Sequence, residues 1–329
     1  MSNEKLDTSI LVMTDHTGND LDGYVLTDHS KQLLTLARSL TTGTVIALAL
    51  NPAPEDIPLS HYGADIIAIP RLQGNSPRVS AVVADAVNAC VNHYHPAVVL
   101  CVSNARGREV SAGVATLQSA GVAVDVTELT IDGGQLIAGK AVLSGTWETR
   151  FHVTKGSPII AVKTAGMPMI QAESPGDAVH EIIDVEFRQA ATAIKVISSK
   201  RDCAIAQSLT DAAIVVCGGA ATQGDFTLVN ALAERLGAAV GATRVCTDQG
   251  WIDRSTQVGL SGVSISPQLY IGAGISGDIH HVSGIRGAET IVAINTDPDA
   301  PIFDLVDLGI IGDMNTVIPQ VLDELGGSE

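Results

Sequence analysis

Short apolar runs alternate with amphipathic segments along most of the chain. In the first half, β-branched runs flanked by turn residues occupy residues 9–15, 44–50, 64–70 and 97–103. Between them, residues 31–40 and 80–94 show the apolar spacing of helices that bury one face. Strands that alternate with helices in this way predict a parallel sheet with helices on its faces.

This alternation changes in the middle of the chain. Residues 134–153 predict an antiparallel excursion, which precedes a further apolar run at 157–163. From about 164 to 200 the segment contains prolines and only one strand-like run, at 181–187. We interpret this segment as the connection between two domains.

A second α/β pattern begins near residue 201. A buried strand at 212–219 ends in a glycine turn, and 225–237 predicts a helix with leucines on one stripe and Gly237 at its C-terminal cap. Further strands are predicted at 238–244, 268–274 and 290–295, and a last helix at 315–325. The chain is therefore predicted to be an α/β protein of two domains. The N-terminal one, 1–190, has a nucleotide-binding-like parallel sheet and includes the connecting segment, and the C-terminal one spans 200–329.

Composition and charge exclude several classes of partner. The formal net charge is −17, which repels nucleic acid and anionic membrane surfaces, so we expect neither as a partner and no insertion into a membrane. The five cysteines have no C-x-x-C spacing, so iron–sulfur and zinc sites are not supported. An odd cysteine count, a polar N-terminus and the lack of long apolar runs predict a cytoplasmic protein.

The segment Gly272–Gly277 fits the dinucleotide pattern G-x-G-x-x-G. Three explanations are open: a Rossmann fingerprint, another way of holding a nucleotide, or a glycine turn without a ligand. A strand precedes the motif, and Asp297 lies about 20 residues further on, as the fingerprint requires. However, only 52 residues follow Gly277, too few for the two βαβαβ halves of a full Rossmann domain. Glycines before a helix N-terminus would still let a pyrophosphate approach the backbone.

Several segments of the C-terminal half together carry a family resemblance. They are "LGAAVGATR", "DQGWI", "QVGLSG", "PQLYIGAGISGDIHH", "IVAINTDPDAPIF" and "LGIIGDMNTVIPQVLDEL". In this order and spacing, the region from about 212 to 325 resembles the C-terminal domain of the electron transfer flavoprotein alpha subunit. The N-terminal half is similar more loosely, through "NARGREVSAGVA", "VTELTID" and "SGTWETRFHVTKGSPIIAVKTAGM".

The resemblance implies a redox carrier without a substrate transformation of its own. Its C-terminal domain would hold FAD in an α/β fold of the deoxyhypusine-synthase-like NAD/FAD type. A beta subunit, holding AMP or a second FAD, would complete a heterodimer. The donor would be a flavoprotein dehydrogenase, such as an acyl-CoA dehydrogenase of fatty acid β-oxidation. The acceptor would be a quinone oxidoreductase or another protein.

The resemblance also implies roles for residues around the flavin ring. Arg244 would lie against the isoalloxazine, with Thr243 beside it, and His281 would face the flavin C2 carbonyl. The ring edge would be enclosed by one loop, whose members are Gln257, Val258, Gly259, Leu260 and Ser261, the last near flavin N5.

The remaining implied contacts are with the phosphates and the adenosine. Ser276 and the backbone after it would hold the diphosphate and ribityl chain, through Gly277, Asp278, Ile279 and His280. The adenosine would lie near Asn295, Asp313 and Met314. A surface histidine pair without a ligand is the alternative for His280 and His281.

Three positions differ from the usual pattern of the family. Its Gly-Gly-Arg-Gly sequence is Gly-Gly-Ala-Ala at 218–221, so the arginine that contacts FAD is replaced by Ala220. A glutamine–threonine pair in the ring loop is replaced by leucine and Ser261, and Asp278 stands where a small residue is usual. We expect weaker or retuned FAD binding. The alternatives are an NAD-dependent dehydrogenase that uses Gly272–Gly277, and a scaffold subunit that has lost its flavin.

Overall fold

The computed structural model of the chain describes residues 4–19, 23–51, 58–143, 147–164, 166–172, 176–198, 209 and 212–326. The chain forms two compact units. The N-terminal unit comprises Met1–Lys140 and Glu148–Arg201, and the C-terminal unit comprises Ala141–Trp147 and Asp202–Glu329. The predicted α/β class with parallel sheets in two domains is confirmed.

The described residues up to 192 include a parallel sheet of seven strands. Its elements are β1 Ile10–Met13, β2 His16–Asn19, β3 Gly23–Leu26, α1 Asp28–Leu40, β4 Val45–Leu48, β5 Ile66–Pro70, α2 Ser80–Tyr94, β6 Val98–Val102, α3 Ala105–Gln118, β7 Val122–Val126, β8 Glu128–Asp132, β9 Gln135–Val142, β10 Trp147–Phe151, β11 Ile159–Val162, β12 Val179–Ile183 and α4 Gln189–Thr192. The strand order is β12-β5-β4-β1-β6-β11-β7, and every recorded pairing is parallel. Strands β1, β4, β6 and β11 are buried along their whole length, which explains their uninterrupted apolar sequences.

Two small sheets accompany the large one. β8 and β9 pair antiparallel within a three-stranded sheet. β9 and β10 lie within the segment 134–153 that was predicted to be antiparallel, and β8 precedes it. β2 and β3 form an antiparallel pair that the sequence analysis does not predict. Helix α3 was also missed, because its contact with α2 uses small residues. A Cβ at Gly113 would lie 3.1 Å from the Ala84 side chain, so the helix lacks a stripe of large apolar residues.

The C-terminal unit is a smaller sheet of five parallel strands. Its elements are β13 Ile214–Gly218, α5 Thr227–Leu236, β14 Ala239–Ala242, α6 Arg244–Asp248, β15 Leu269–Ala273, α7 Ile279–Val282, β16 Thr290–Asn295, β17 Leu308–Ile311 and α8 Met314–Gly326. The strand order is β14-β13-β15-β16-β17. Gly237 ends α5 in the left-handed conformation, with φ of 61°, as its C-cap position predicts. β17 was not predicted from the sequence.

Two apolar layers cover the faces of this sheet. Alternate residues of β13 enter different layers: Val215 and Cys217 belong to one, and Val216 to the other. Aliphatic side chains dominate both layers. Tyr270 on β15 is fully buried in the first layer, which gives that layer a polar hydroxyl in its interior.

In the described part of the chain, no helix has both the length and the apolar character needed to cross a bilayer.

The segment interpreted as an interdomain connection is partly built into the N-terminal unit. β12 pairs with β5 at the edge of the seven-stranded sheet, and α4 packs on α2. One buried ion pair fixes this return of the chain. Asp85, only 2% exposed on α2, accepts hydrogen bonds from the Arg188 side-chain Nε at 2.6 Å and from its backbone N–H at 2.9 Å.

We expect Asp85→Ala to lower the free energy of unfolding by about 2–3 kcal/mol, because it leaves a charged group and a backbone N–H without their acceptor. Asp184→Ala is the matched control, since it removes the exposed partner of Arg71. That pair lies in solvent and is worth about 0.5 kcal/mol or less. Urea denaturation of both variants measures the difference, and equal losses would show that the buried pair does not hold the segment.

Candidate functional site

A cleft opens at the carboxyl edge of the five-stranded sheet. The chain passes from β13 to β14 on one side, and the later strands lie on the other side, so the strand order reverses between β13 and β15. Ligands of open parallel sheets bind at such a point. The cleft has a volume of about 290 Å³ and is lined by Ala220, Thr243, Arg244, Val245, Val258, Gly259, Leu260, Ser261, Gly274, Ile275, Ser276, Asp278, His280, His281 and Asn295.

Glycines let the turns after β13 and β15 come together. A Cβ on Gly219 would lie 2.1 Å from the Gly274 carbonyl oxygen, so no other residue fits there without displacing backbone. Gly277 has φ of +89°, and a Cβ there would lie 2.2 Å from the Ile302 backbone nitrogen. The motif Gly272–Gly277 therefore shapes the floor of the cleft.

This geometry does not support a Rossmann fingerprint. The motif follows β15, the third strand of the C-terminal unit along the chain, whereas the fingerprint follows the first strand. The helix after it, α7, has four residues instead of the long helix whose dipole would face a pyrophosphate. A helix this short contributes little dipole stabilisation to a pyrophosphate at its N-terminus.

Backbone donors remain available in the same turn. Within the described residues, the N–H groups of Ser276 and Gly277 make no hydrogen bond to protein. The turn is held from behind, because Asn295 Nδ2 donates to the Ile275 carbonyl at 2.8 Å and Ile302 N–H donates to the Ser276 carbonyl at 3.0 Å. Free N–H groups in a turn form a site for an anion.

Among the described residues, Arg244 is the only lysine or arginine that lines the cleft. It begins helix α6 directly after β14, and its side chain is 56% exposed. Its Nε lies 3.9 Å from a carboxylate oxygen of Asp248, and the same carboxylate lies 3.8 Å from Arg254 Nη1. Asp248 is thus shared between two cations, which leaves positive charge at the cleft.

The loop 257–261 forms one wall through backbone contacts. Val258 N–H donates to the Ala242 carbonyl at 2.9 Å, and Leu260 N–H donates to the His280 carbonyl at 2.7 Å. Leu260, which is 65% exposed, and Val245 add apolar surface to the cleft. Ser261 is also a lining residue.

Gln257 lies behind this wall. Its side chain is 1% exposed, its Oε1 accepts from Thr247 Oγ1 at 2.8 Å, and its Nε2 donates to Ser261 Oγ at 2.9 Å. Both ends of the amide are therefore used within the protein. The structure gives Gln257 a contact with Ser261 in place of the predicted exposure to a cofactor.

Asp278 lines the cleft but turns its carboxylate to the backbone. Its Oδ1 accepts from the His280 backbone N–H and contacts His280 Nδ1, both at 2.9 Å, so it caps α7. The backbone hydrogen bond from His280 and then the contact with its side chain lower the pKa of Asp278. The carboxylate is therefore charged at neutral pH and reduces the positive potential near Arg244.

His281 is buried and fully bonded to protein. Its Nδ1 lies 3.1 Å from the Val258 carbonyl and its Nε2 lies 2.7 Å from the Tyr270 hydroxyl. Burial lowers the pKa of His281 to about 4, against the opposing effects of the Val258 carbonyl and Asp278. The ring is neutral at pH 7, and neither nitrogen is free to face a flavin carbonyl.

Four other predicted residues do not line the cleft. Gly277 lies in the turn between β15 and α7, and the Ile279 side chain is exposed. Asp313 accepts from the Asn315 backbone N–H at the start of α8, and Met314 is buried in the core. The sulfur of Met314 supports the floor, at 3.3 Å from the place of a Cβ on Gly274.

Sequence reasoning missed four lining residues. They are Ala220, Val245, Gly274 and Ile275. Gly274 and Ile275 belong to the glycine motif, and Ala220 occupies the position where an arginine is usual. Their places directly after β13, β14 and β15 could have identified all four, because carboxyl ends of parallel strands meet at one edge.

The residues present fit a flavin nucleotide. The described lining of the cleft combines apolar walls at Val245 and Leu260 with a guanidinium, three hydroxyl-bearing residues and free backbone N–H groups. A ring with a polar edge and a diphosphate requires this combination of donors and apolar surface. Among the described residues, no cluster of three or more histidine, cysteine or acidic side chains could hold a metal ion.

Two family profiles match the chain. The electron transfer flavoprotein domain matches residues 17–190, and the electron transfer flavoprotein FAD-binding domain matches residues 208–286. The second range contains all of the cleft's lining residues except Asn295. The predicted cofactor residues Asp313 and Met314 also lie beyond it.

Curated relatives cover nearly all of the chain. The electron transfer flavoprotein subunit alpha of Mycobacterium leprae is 32% identical over 95% of this chain and 96% of its own length. The subunit of the same name from Bacillus subtilis is 30% identical over 86% of this chain and 87% of its own length. Protein FixB of Azorhizobium caulinodans is 33% identical over 89% of this chain and 83% of its own length. The C-terminal part of the chain matches the FAD-binding domain, and an alpha subunit implies a beta subunit as its partner. The chain belongs to the electron transfer flavoprotein alpha subunit family.

Proposed function

We propose that the chain is the FAD-carrying subunit of a heterodimeric electron carrier. It takes electrons from a flavoprotein dehydrogenase, such as one that oxidises an acyl-CoA, and passes them to a quinone oxidoreductase or another acceptor. The complex transforms no substrate of its own. A beta subunit that holds AMP or a second FAD completes it.

One observation carries this proposal: a single guanidinium, Arg244, shares a cleft with free backbone donors and apolar walls. Bound FAD would supply a group that takes up and releases electrons. Residues of the cleft would hold it, with Ser276 and Gly277 N–H groups toward the diphosphate. Arg244, Ser261 and Thr243 would lie toward the ring.

Arg244 would favour added negative charge in the cleft. Its guanidinium cannot lose its proton near neutral pH, so the charge is permanent. At an effective dielectric of about 20, two unit charges roughly 4 Å apart interact by about 4 kcal/mol before desolvation. The exposure of Arg244 and its contact with Asp248 reduce this interaction to about 1–2 kcal/mol.

The primary test is co-expression of the chain with its beta-type partner. We expect a yellow heterodimer from which FAD is extracted in a ratio near one per chain, or near two where the partner also holds FAD. Visible spectra and nucleotide extraction measure both. A heterodimer that stays colourless when supplied with excess FAD would identify a scaffold subunit, and nicotinamide binding would support a dehydrogenase.

We expect Arg244→Ala to lower the reduction potential of the bound flavin by about 50–100 mV, because added electron density loses its nearest cation. Arg254→Ala is the matched control: it removes the other cation on Asp248, and Arg254 does not line the cleft. Spectroelectrochemical titration of both heterodimers gives the potentials. Equal shifts in the two variants would assign Arg244 a structural role only.

We expect Ala220→Arg to strengthen FAD binding about tenfold, because it restores a charge-assisted donor at a position on the cleft wall. Gln223→Arg adds the same charge in the same turn, and Gln223 does not line the cleft. FAD dissociation during dialysis, followed by fluorescence, compares them. If both variants retain FAD equally well, general electrostatic attraction accounts for the gain.

A further inference from the structure

A buried hydrogen-bond chain runs behind the cleft. The Tyr270 hydroxyl on β15 lies 2.7 Å from His281 Nε2, and His281 Nδ1 lies 3.1 Å from the Val258 carbonyl. Tyr270 is fully buried, and its hydroxyl also interacts with the buried Cys217 thiol on β13. This series of hydrogen bonds therefore links β13, β15, α7 and the loop that forms one cleft wall.

The acceptors determine where the protons lie. The Val258 carbonyl can only accept, so His281 Nδ1 must carry the proton that is donated to it. In a neutral ring, Nε2 is then an acceptor, and the Tyr270 O–H donates to it. Burial, followed by the effect of Cys217, raises the pKa of Tyr270 well above its usual value, so this hydroxyl keeps its proton.

We propose that Tyr270 is a positioning residue of the flavin site, whose hydroxyl holds His281 as the neutral tautomer with its proton on Nδ1. This rests on the flavin-carrying role proposed above. The imidazole then ties the wall at Val258 to the sheet at Tyr270. It gives the cleft no charge and no N–H group.

The consequence for the site is electrostatic. An imidazolium at this position would add a second cation beside Arg244, and its charge would change with pH. A donor to Nε2 stabilises the unprotonated nitrogen and opposes that change. The Asp278 carboxylate has the opposite effect, because its negative charge raises the pKa of His281. His280 is a second titratable group that lines the same cleft. With His281 neutral, Arg244 supplies a positive charge in the cleft that does not change with pH near neutrality.

The test uses the full-length heterodimer labelled with ¹⁵N at its histidines, with the His281 signals assigned from their loss in His281→Gln. In the wild type, we expect a protonated Nδ1, an unprotonated Nε2 and no titration between about pH 5.5 and 8. In Tyr270→Phe, we expect the pKa of His281 to rise by at least about one unit, a tenfold gain in proton affinity. Tyr94→Phe is the control, since it removes a hydroxyl that donates to Glu181 in the N-terminal unit.

A second readout is the reduction potential of the flavin. We expect the potentials of the wild type and of Tyr94→Phe to vary in parallel with pH. That of Tyr270→Phe should rise more steeply as pH falls below about 6, because a charged imidazole stabilises added negative charge. A purely structural role of Tyr270 would not change this slope.

The outcomes separate the two proposals. A wild-type ring protonated on Nε2, or an unchanged His281 titration in Tyr270→Phe, would overturn the role of Tyr270. If Tyr270→Phe does not fold, the tautomer of the wild-type ring decides alone. Absence of flavin from every heterodimer would refute the proposed function, while the NMR readout would still report on His281.

Discussion

The cleft depends on the close approach of two backbone turns. The carbonyl of Gly274 lies where a Cβ of residue 219 would have to stand, so the strands β13 and β15 can end side by side only with glycine at that position. This approach brings together the ends of three neighbouring strands at the point where the strand order reverses. Every polar group of the cleft is positioned relative to this edge.

The electrostatics of the cleft contrast with those of the whole chain. The protein carries a formal net charge of −17, yet the cleft places one guanidinium opposite a single turn of free N–H groups. Asp248 and Asp278 lie close to this guanidinium and limit its effect. The local potential therefore depends on a few oriented groups in and beside the cleft, Asp278 among them.

Much of the fold could be predicted from the sequence, because buried parallel strands give uninterrupted β-branched runs. The strands at 45–48 and 214–218 and the helix ended by Gly237 are examples. The helix α3 and the strand β17 escaped prediction for a physical reason. One packs through small residues such as Gly113, and the other has mostly exposed side chains, so neither shows the usual apolar pattern.

For the cleft, the sequence predicted which residues lie near one another better than where their side chains point. Arg244, Ser261 and Asn295 line it, as the family resemblance implies. Gln257 lies in the predicted loop and His281 in helix α7, but their polar atoms bond to protein neighbours that include distant ones: Thr247 is 10 residues from Gln257, and Val258 is 23 residues from His281. Such pairings depend on tertiary structure, and no local pattern encodes them.

The buried amide of Gln257 has a consequence for the hydroxyl of Ser261. Because Nε2 of the amide donates to Oγ, it occupies a lone pair of that oxygen and leaves the hydroxyl hydrogen without a partner in the loop. The hydroxyl can therefore donate to a neighbouring atom, while one of its two accepting positions is already filled. An acceptor atom is thus a better match to this serine than a donor atom would be.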